Sequence, residues 1–479
     1  MQLAAAAIGN NVAVMLGRLV LLGLCGALDT LAAQAWGAGK EARLPLLLQR
    51  TVLFLWAHSA AISASMLALP AGLAALGQDP QLTAMVRRYL LALLPSVWLE
   101  GLSRPITRVL VARGTATPQM IIALIGLPLS VGTNWALVVA ARWEYVGAAA
   151  ATSVAAGYDV VMLLLYVACS GQWDAVMGVP NTRAFRGWHN FARLAYPAAL
   201  MKCAESWAFT LLTLAASLLP HAAIATAAVG VSYNVYGVLF IAFVACSTAA
   251  CVTVGNRLGA GNAKGAKLAA AASLLIVPAA WSASAAALLL PRSQAAIISL
   301  FVGQGGGVDG GGGADADAEA LRQLLHPMFG IVAWLVLLDG VQTILSGVIQ
   351  TILSGVIQGC GRQQQGALVN AVAFYMVAVP LALFLAFRFR LPLALGGGEA
   401  GLGMGPQGLY LGIAAGPLIQ MVSYAVILLR TNWERASEAA VLASMLCSTN
   451  SLGGLMRRID PGALAGGRSD GRPKEGGRV

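Results

Sequence analysis

The chain has 479 residues, of which 58% are hydrophobic and only 10% are charged, and its formal net charge is +11. Soluble globular proteins carry about 25% charged residues, so this composition excludes a soluble domain and indicates a polytopic membrane protein. The Lys and Arg residues concentrate in loops between apolar runs, which is typical of membrane topology. We therefore expect the lipid bilayer, and no nucleic acid, as a partner.

Apolar runs of about 20 residues predict eleven membrane-spanning helices. Their approximate limits are 3–28, 46–69, 84–112, 118–140, 146–169, 193–218, 223–252, 267–290, 327–358, 367–387 and 408–429. Loops rich in Lys and Arg alternate with poorer ones, and the richer side is interpreted as cytoplasmic. An odd number of helices then places Met1 outside, so we expect that one further helix is missing before Met1.

The segments between the helices predict the domain organisation. Residues 1–172 form an amino-terminal helical lobe without its first helix, and residues 193–430 form a carboxy-terminal helical lobe. Residues 173–192 are too polar to span a membrane and predict an amphipathic cytoplasmic linker between the lobes. Three Gly-rich segments predict irregular structure. They are the outside loops 303–319 and 396–408 and a disordered cytoplasmic tail, 431–479.

A short motif recurs in the two predicted lobes. The segments WGAGKEARLPLLLQR (36–50) and LGAGNAKGAKLAAAA (258–272) each follow a long apolar helix, and GAG recurs after 222 residues. An even number of predicted helices separates the copies, so both halves have the same orientation, related by an axis along the bilayer normal. The alternative is that Gly-containing turns recur by chance. The repeat predicts an all-α polytopic membrane protein of two six-helix bundles, with about 11 of 12 helices present.

The octapeptide TILSGVIQ occurs twice in tandem, at 343–350 and 351–358. With both copies the helix predicted over 327–358 is about 48 Å long, and with one copy it is about 36 Å long. The shorter helix suits a hydrocarbon core of about 30 Å with modest tilt. We interpret the second copy as an artefact of splicing or gene assembly.

No enzyme signature is found in the sequence. Neither the phosphate-binding pattern GxxxxGK[ST] nor the zinc-binding pattern HExxH occurs. The seven cysteines are scattered and form no CxxC pair. We expect neither an enzyme nor a metal site, and no cofactor.

Two acidic residues are each isolated inside an apolar helix. They are Glu205 in YPAALMKCAESWAFTLLTLAASLL and Asp339 in FGIVAWLVLLDGVQTILSG. A carboxylate at the bilayer centre costs at least ~2.5 kcal/mol on the insertion scale, so it marks a functional site by default. The expected use is to hold and release a proton or a cation, as in an ion-coupled transporter. The alternatives are a structural hydrogen-bonded carboxyl and, for Glu205, an i,i+3 pair with Lys202.

Four segments resemble a known family. GALDTLAAQAWGAGK (26–40), NRLGAGNAKGA (256–266) and LDGVQTILSGV…GCGRQQQGALVN (338–370) resemble hallmark segments of the multidrug and toxic compound extrusion (MATE) family, in its plant-like eukaryotic branch. The segment AESW (204–207) is similar to the acidic motif in the seventh helix of that branch. The resemblance extends over nearly the whole chain, and it implies twelve helices in two lobes around a central cleft, with the family's first helix absent here.

The resemblance also implies roles for individual residues. Glu205 would be a coupling and substrate-binding carboxylate, and Asp339 would be the matching carboxylate of the second lobe, with Gln342 as a polar companion. Asn234 matches a polar position in the family's eighth helix. Tyr233 and Tyr236 flank Asn234 and could offer π-faces to a cationic substrate. Ordinary interhelical hydrogen bonding is the alternative for these three residues.

Two further residues are weaker candidates for the same functions. Trp207 could stack on a substrate, although simple packing is favoured. Asp159, inside the span 146–169, is a candidate for a second cation site. Glu100 lies one turn from Arg104, which predicts a structural ion pair instead.

The leading hypothesis is a secondary active antiporter that exports organic, cationic or amphiphilic compounds in exchange for H⁺ or Na⁺. It would act as a monomer in the plasma membrane or the vacuolar membrane. A lipid or oligosaccharide flippase of related architecture is a second hypothesis, and it would need several basic residues at membrane depth. A third is a chain that does not transport, because its first helix is missing and the duplicated octapeptide shifts a helix.

Overall fold

The computed structural model describes residues 1–302, 312–357, 363–388 and 403–446. Every regular element in these ranges is a helix. The α-helices are α1 Gln2–Val12, α2 Leu19–Gly37, α3 Leu44–Ala75, α4 Pro80–Ala112, α5 Thr117–Trp135, α6 Glu144–Cys169, α7 Trp173–Val176, α8 Trp188–Ala216, α9 Ala222–Gly259, α10 Ala263–Leu274, α11 Val277–Leu289, α12 Pro291–Val302, α13 Gly312–Ile357, α14 Gln363–Ala371, α15 Val379–Phe387, α16 Gly405–Ile413, α17 Ala415–Leu429 and α18 Trp433–Leu446. A π-helical segment, Ala13–Arg18, joins α1 to α2, and two more extend α5 (Ala136–Ala140) and join α14 to α15 (Val372–Ala378).

Ten helical stretches in the described part are long and apolar enough to cross a membrane. They coincide with ten of the eleven predicted spans. The remaining prediction, 193–218, corresponds to α8, which has 29 residues but is less apolar because it carries Arg193, Lys202 and Glu205. The structure therefore confirms an all-α polytopic fold with a helix at each predicted position.

The buried apolar side chains form two large clusters. The amino-terminal cluster draws its members from residues 5–199 and the carboxy-terminal cluster from residues 208–440. This division supports the predicted two-lobe organisation, although it falls within α8 rather than in the linker. Between α6 and α8 the chain forms the short helix α7 and a 3₁₀ turn, and Gln49 of α3 donates to the carbonyls of Met177 (2.8 Å) and Val179 (2.9 Å).

The predicted tail begins later than expected. The prediction of disorder from residue 431 is wrong for 433–446, which form α18. The Asn432 carboxamide oxygen accepts from the backbone N–H groups of Glu434 (3.1 Å) and Arg435 (3.2 Å), so it caps the helix. Ala436 and Ala440 are fully buried, which gives α18 a packed face. Residues 447–479 lie outside the described residues.

The predicted outside loops are also shorter than expected. Residues 312–319 belong to α13, and residues 405–408 belong to α16. The rest of the first loop, 303–311, and the part 396–402 of the second loop lie outside the described residues. The helix α13 has 46 residues and continues through the first copy of the octapeptide and most of the second.

The GAG repeat has a structural explanation at the crossing of α2 and α9. A Cβ atom added at Gly37 would lie 2.0 Å from the carbonyl oxygen of Asn256, and one added at Gly259 would lie 2.3 Å from that of Gln34. Gln34 and Gly37 are separated from Asn256 and Gly259 by the same 222 residues as the GAG motifs. The two contacts are therefore equivalent by the internal repeat, which is what a local two-fold axis generates.

Alanine at Gly37 or Gly259 is expected to disrupt this crossing. Alanine favours a helix more than glycine does, so any loss of stability must arise from the overlap of the added methyl group with backbone. We expect each variant to lose about 1–3 kcal/mol of stability, measured as a lower Tm of the purified protein in detergent. Gly132→Ala in α5 is the control, because nothing lies within 4 Å of its added Cβ. Equal Tm values for Gly37→Ala and Gly132→Ala would contradict the prediction.

Candidate functional site

The helices α8 and α13 bring the two predicted carboxyl groups together. Glu205 and Asp339 are 9% and 0% exposed, and their side chains lie within hydrogen-bonding reach of each other. We refer to these two residues as the carboxyl pair. Two residues 134 positions apart in the sequence thus form one buried acidic site.

The hydrogen bonding of Asp339 is consistent with a shared proton at the pair. The Tyr236 hydroxyl donates to Asp339 Oδ2. The other oxygen, Oδ1, is buried and accepts no hydrogen bond from a conventional donor in the described structure. The carboxyl group of Glu205 is a polar neighbour of the Asp339 side chain. Two adjacent buried carboxylates repel each other, and an unpaired buried oxygen is costly, so the arrangement is stable when at least one carboxyl group carries a proton.

A stack of aromatic rings lies beside the carboxyl pair. The ring of Tyr236 lies 5.1 Å from that of Phe209 and 5.2 Å from that of Phe240, with interplanar angles of 26° and 13°. Tyr233 extends the stack, with its ring 5.4 Å from Phe209, and it is 38% exposed. Tyr233 is also close enough to Glu205 to sense its charge. An exposed aromatic face next to acidic groups suits an organic cation.

Lys202 does not neutralise the carboxyl pair by direct contact. It lies one turn before Glu205, but no salt bridge joins the two residues in the described structure. Its ammonium group acts on both Glu205 and Asp339 through space. The alternative of a local ion pair between Lys202 and Glu205 is therefore not realised in the described structure.

Comparison with known proteins identifies the family. The MatE family model matches residues 1–136 and 197–304, which is more than half of the chain. The Arabidopsis thaliana proteins DETOXIFICATION 17 and DETOXIFICATION 16 are 30% and 31% identical to it, over 92% of this chain and 85% and 83% of theirs. The chain belongs to the MATE family of transporters. The crystal structure of the eukaryotic MATE transporter AtDTX14 is similar, with a TM-score of 0.79 and 25% identity, and covers 92% of this chain and 91% of that one.

Membership of the MATE family confirms the resemblance read from the sequence. The protein is a multi-pass membrane transporter for small organic compounds and not an enzyme.

Three further predicted residues of this MATE transporter are buried to different degrees. Gln342 is buried on α13, and its carboxamide oxygen accepts from the Thr343 hydroxyl at 2.8 Å. Asn234 is exposed, and its amide donates to Gly230 of the same helix at 2.9 Å. Trp207 is half-buried. None of the described hydrogen bonds or ring contacts joins Asn234 or Trp207 to the carboxyl pair.

A buried polar network that the sequence analysis did not identify supports α8 next to Glu205. The Asn370 amide donates to the Met201 carbonyl at 3.0 Å. The Asn370 carboxamide oxygen accepts from Gln420 (2.5 Å) and from the Tyr424 hydroxyl (2.6 Å). The network links α14 and α17 to the part of α8 that follows Pro197, where the missing N–H of proline weakens the helix. Neutral amides inside apolar spans were the signal that could have revealed it.

Asp159 lies in a different environment from the carboxyl pair. It is half-buried on α6, in a cavity that also contains Glu100 and Arg104. The predicted pair of Glu100 with Arg104 is confirmed, with Arg104 Nη2 and Nε 2.5 and 3.0 Å from Oε2. Arg18, which the sequence analysis missed, adds a bond from its Nε to Glu100 Oε1 at 2.6 Å. The positive charges beside Asp159 disfavour the predicted second cation site.

Removal of the Asn370 side chain should destabilise this transporter. Asn370→Ala removes the buried acceptor of Gln420 and leaves the Tyr424 hydroxyl with its long 3.5 Å bond to the Gly366 carbonyl, which costs about 1–3 kcal/mol. We expect a clear decrease in Tm for the detergent-purified protein. Asn234→Ala is the matched control, since Asn234 is exposed and bonds only within its own helix. The role of the network is refuted when the two variants melt alike.

Proposed function

We propose that this MATE transporter is a proton-coupled antiporter that exports organic cationic or amphiphilic compounds. The observation that carries the proposal is the contact between the buried carboxyl groups of Glu205 and Asp339, which accommodates a proton between two acids. The exposed face of Tyr233 beside them provides a surface for the substrate. The membrane would be the plasma membrane or the vacuolar membrane.

The geometry favours H⁺ over Na⁺ as the coupling ion. A sodium ion needs several oxygen atoms directed at one point, as other hard cations do. A proton needs only the two carboxyl groups that already face each other. Tyr236 donates to Asp339 Oδ2, so this oxygen is already engaged by a donor and not available to a cation without displacing that hydroxyl.

Exchange follows from competition for the same negative charge. A proton bound at the carboxyl pair removes one charge from the site and weakens its attraction for a cation. A cation bound beside Tyr233 stabilises the ionised carboxyl groups and favours release of the proton. The two ligands therefore oppose each other's binding, and this coupling is the requirement for antiport.

Alternating access needs two arrangements of the helices around this site. In the proposed cycle the two halves, which the repeat relates by an axis along the bilayer normal, rock against each other around the site. The crossing of α2 and α9 at Gly37 and Gly259 would be one of the contacts that form and break, because it joins the two halves of the repeat.

The proposal predicts that Glu205→Gln abolishes proton-driven export. Glutamine keeps the size of the side chain but cannot exchange a proton, so ethidium efflux driven by a pH gradient in proteoliposomes should fall at least tenfold. Glu41→Gln, between α2 and α3, is the control. Glu41 is an exposed acidic residue that is not part of the carboxyl pair. Undiminished pH-driven efflux by Glu205→Gln would reject the proposal. Efflux driven by a sodium gradient at equal pH, with no response to a pH gradient, would assign Na⁺ instead.

A further inference from the structure

Lys202 places a positive charge at the middle of α8 (Trp188–Ala216). Its side chain is half-buried, and α2 packs closely against this part of α8. A Cβ atom added at Gly23 of α2 would lie 2.4 Å from the Cα atom of Ala199, one turn before Lys202. An ionisable residue at membrane depth is costly, so its default interpretation is a functional residue.

The ammonium group of Lys202 has no direct ionic partner among the described residues, because none of their salt bridges includes it. Its charge nevertheless acts on three acids, which are Glu205 and Asp339 of the carboxyl pair and Asp29 of α2. A lysine carries a compact charge on a flexible four-carbon stem. Lys202 therefore acts as a point charge between two acidic centres and not as one half of a fixed ion pair.

Asp29 already has a compensating charge of its own. The Nε atom of Arg108, on α4, lies 3.3 Å from Asp29 Oδ1, and both side chains are largely buried. Arg108 also acts on Asp29 more strongly than Lys202 does. Asp29 and Arg108 thus form a neutral unit, and the charge of Lys202 is left to the carboxyl pair.

The charges around the carboxyl pair are few enough to count. In the described part of the chain, the charged side chains that act on Glu205 or Asp339 are the other acid of the pair and Lys202. The neighbouring phenols of Tyr233 and Tyr236 are neutral at physiological pH. With both acids ionised, Lys202 compensates one of the two negative charges and one remains. A single proton on the pair makes these three residues neutral together, so the site has room for one further positive charge at a time.

We propose that Lys202 determines which ligand charge this site accepts, namely a proton or one monovalent organic cation, with divalent organic cations excluded. The inference rests on the proposed antiport function and adds the ligand charge to it. A second positive charge on the ligand would find no uncompensated carboxylate and would be repelled by the Lys202 ammonium group. Discrimination between ligands commonly uses such repulsion of the wrong ligand together with attraction of the right one.

The first test compares two dyes with the same ring system and different charges. Ethidium carries one positive charge and propidium carries two. Each dye is dialysed to equilibrium against the purified full chain in detergent, at one fixed and mildly alkaline pH. We expect the wild-type chain to bind ethidium at least about tenfold more tightly than propidium, because like charges that face each other oppose binding. Equal affinities for the two dyes overturn the proposal without the need for a variant.

Substitutions at Lys202 separate its charge from its size. Lys202→Gln removes the ammonium group and leaves both carboxylates uncompensated, so propidium should gain at least about tenfold more affinity than ethidium gains. Lys202→Arg keeps the charge and should retain the preference for ethidium. Lys267→Gln, at an exposed position of α10, is the control for net charge and should leave the ratio of the two affinities unchanged. Tm measurements verify that each variant is folded.

The outcomes for Lys202 and for antiport can be distinguished. If Lys202→Gln changes both affinities by the same factor, or if Lys202→Arg behaves like Lys202→Gln, the side chain does not select by charge and the proposal is wrong. An equal change of the ratio in Lys267→Gln would show that only the overall charge matters, which also overturns it. Dialysis uses no gradient, so the preference can be absent while pH-driven efflux persists, and it can be present when Glu205→Gln still exports the dye.

Discussion

The contact between two buried carboxyl groups is the constraint on which the functional site depends. Neither Glu205 nor Asp339 has an oppositely charged residue in direct contact in the described structure, and Asp339 Oδ1 is buried there without a hydrogen-bond donor. Such a contact is tolerable at membrane depth when it is part of a cycle in which protonation changes. The Tyr236 hydroxyl and the aromatic stack lie beside these two carboxyl groups.

Close helix packing determines where the two carboxyl groups lie. Along α13, a Cβ added at Gly340 would lie 2.5 Å from the Phe243 ring, and one added at Gly347 would lie 2.5 Å from the Ser247 hydroxyl. Small residues therefore let α9 and α13 approach, as is usual in membrane interfaces. On the other side, Asn370 holds α8 at the Met201 carbonyl, one turn before Glu205. The pair is thus positioned by packing on α13 and by hydrogen bonds on α8.

The sequence predicted the features that contrast most with lipid. Apolar runs gave the helices, and Glu205 and Asp339 stood out because a carboxylate in such a run is rare. Asn370 and Gln420 were not predicted because neutral amides cost much less in a span, so they do not stand out from an apolar background. Arg18 was missed because basic residues were interpreted through their loops. The helix α18 was missed because its composition is polar overall, although Asn432 caps it and its apolar residues form a narrow face.

The two halves of the repeat share a helix crossing but differ in their buried charges. The glycine contacts of α2 and α9 are equivalent in both halves, which preserves the crossing of the helices. In the amino-terminal half the buried acid Glu100 is compensated by two guanidinium groups, so a proton bound there would have to displace two strong ion pairs. In the carboxy-terminal half the acids face each other without a salt bridge. The proposed proton-exchange step therefore belongs to the carboxy-terminal half, where none of the described salt bridges engages Glu205 or Asp339.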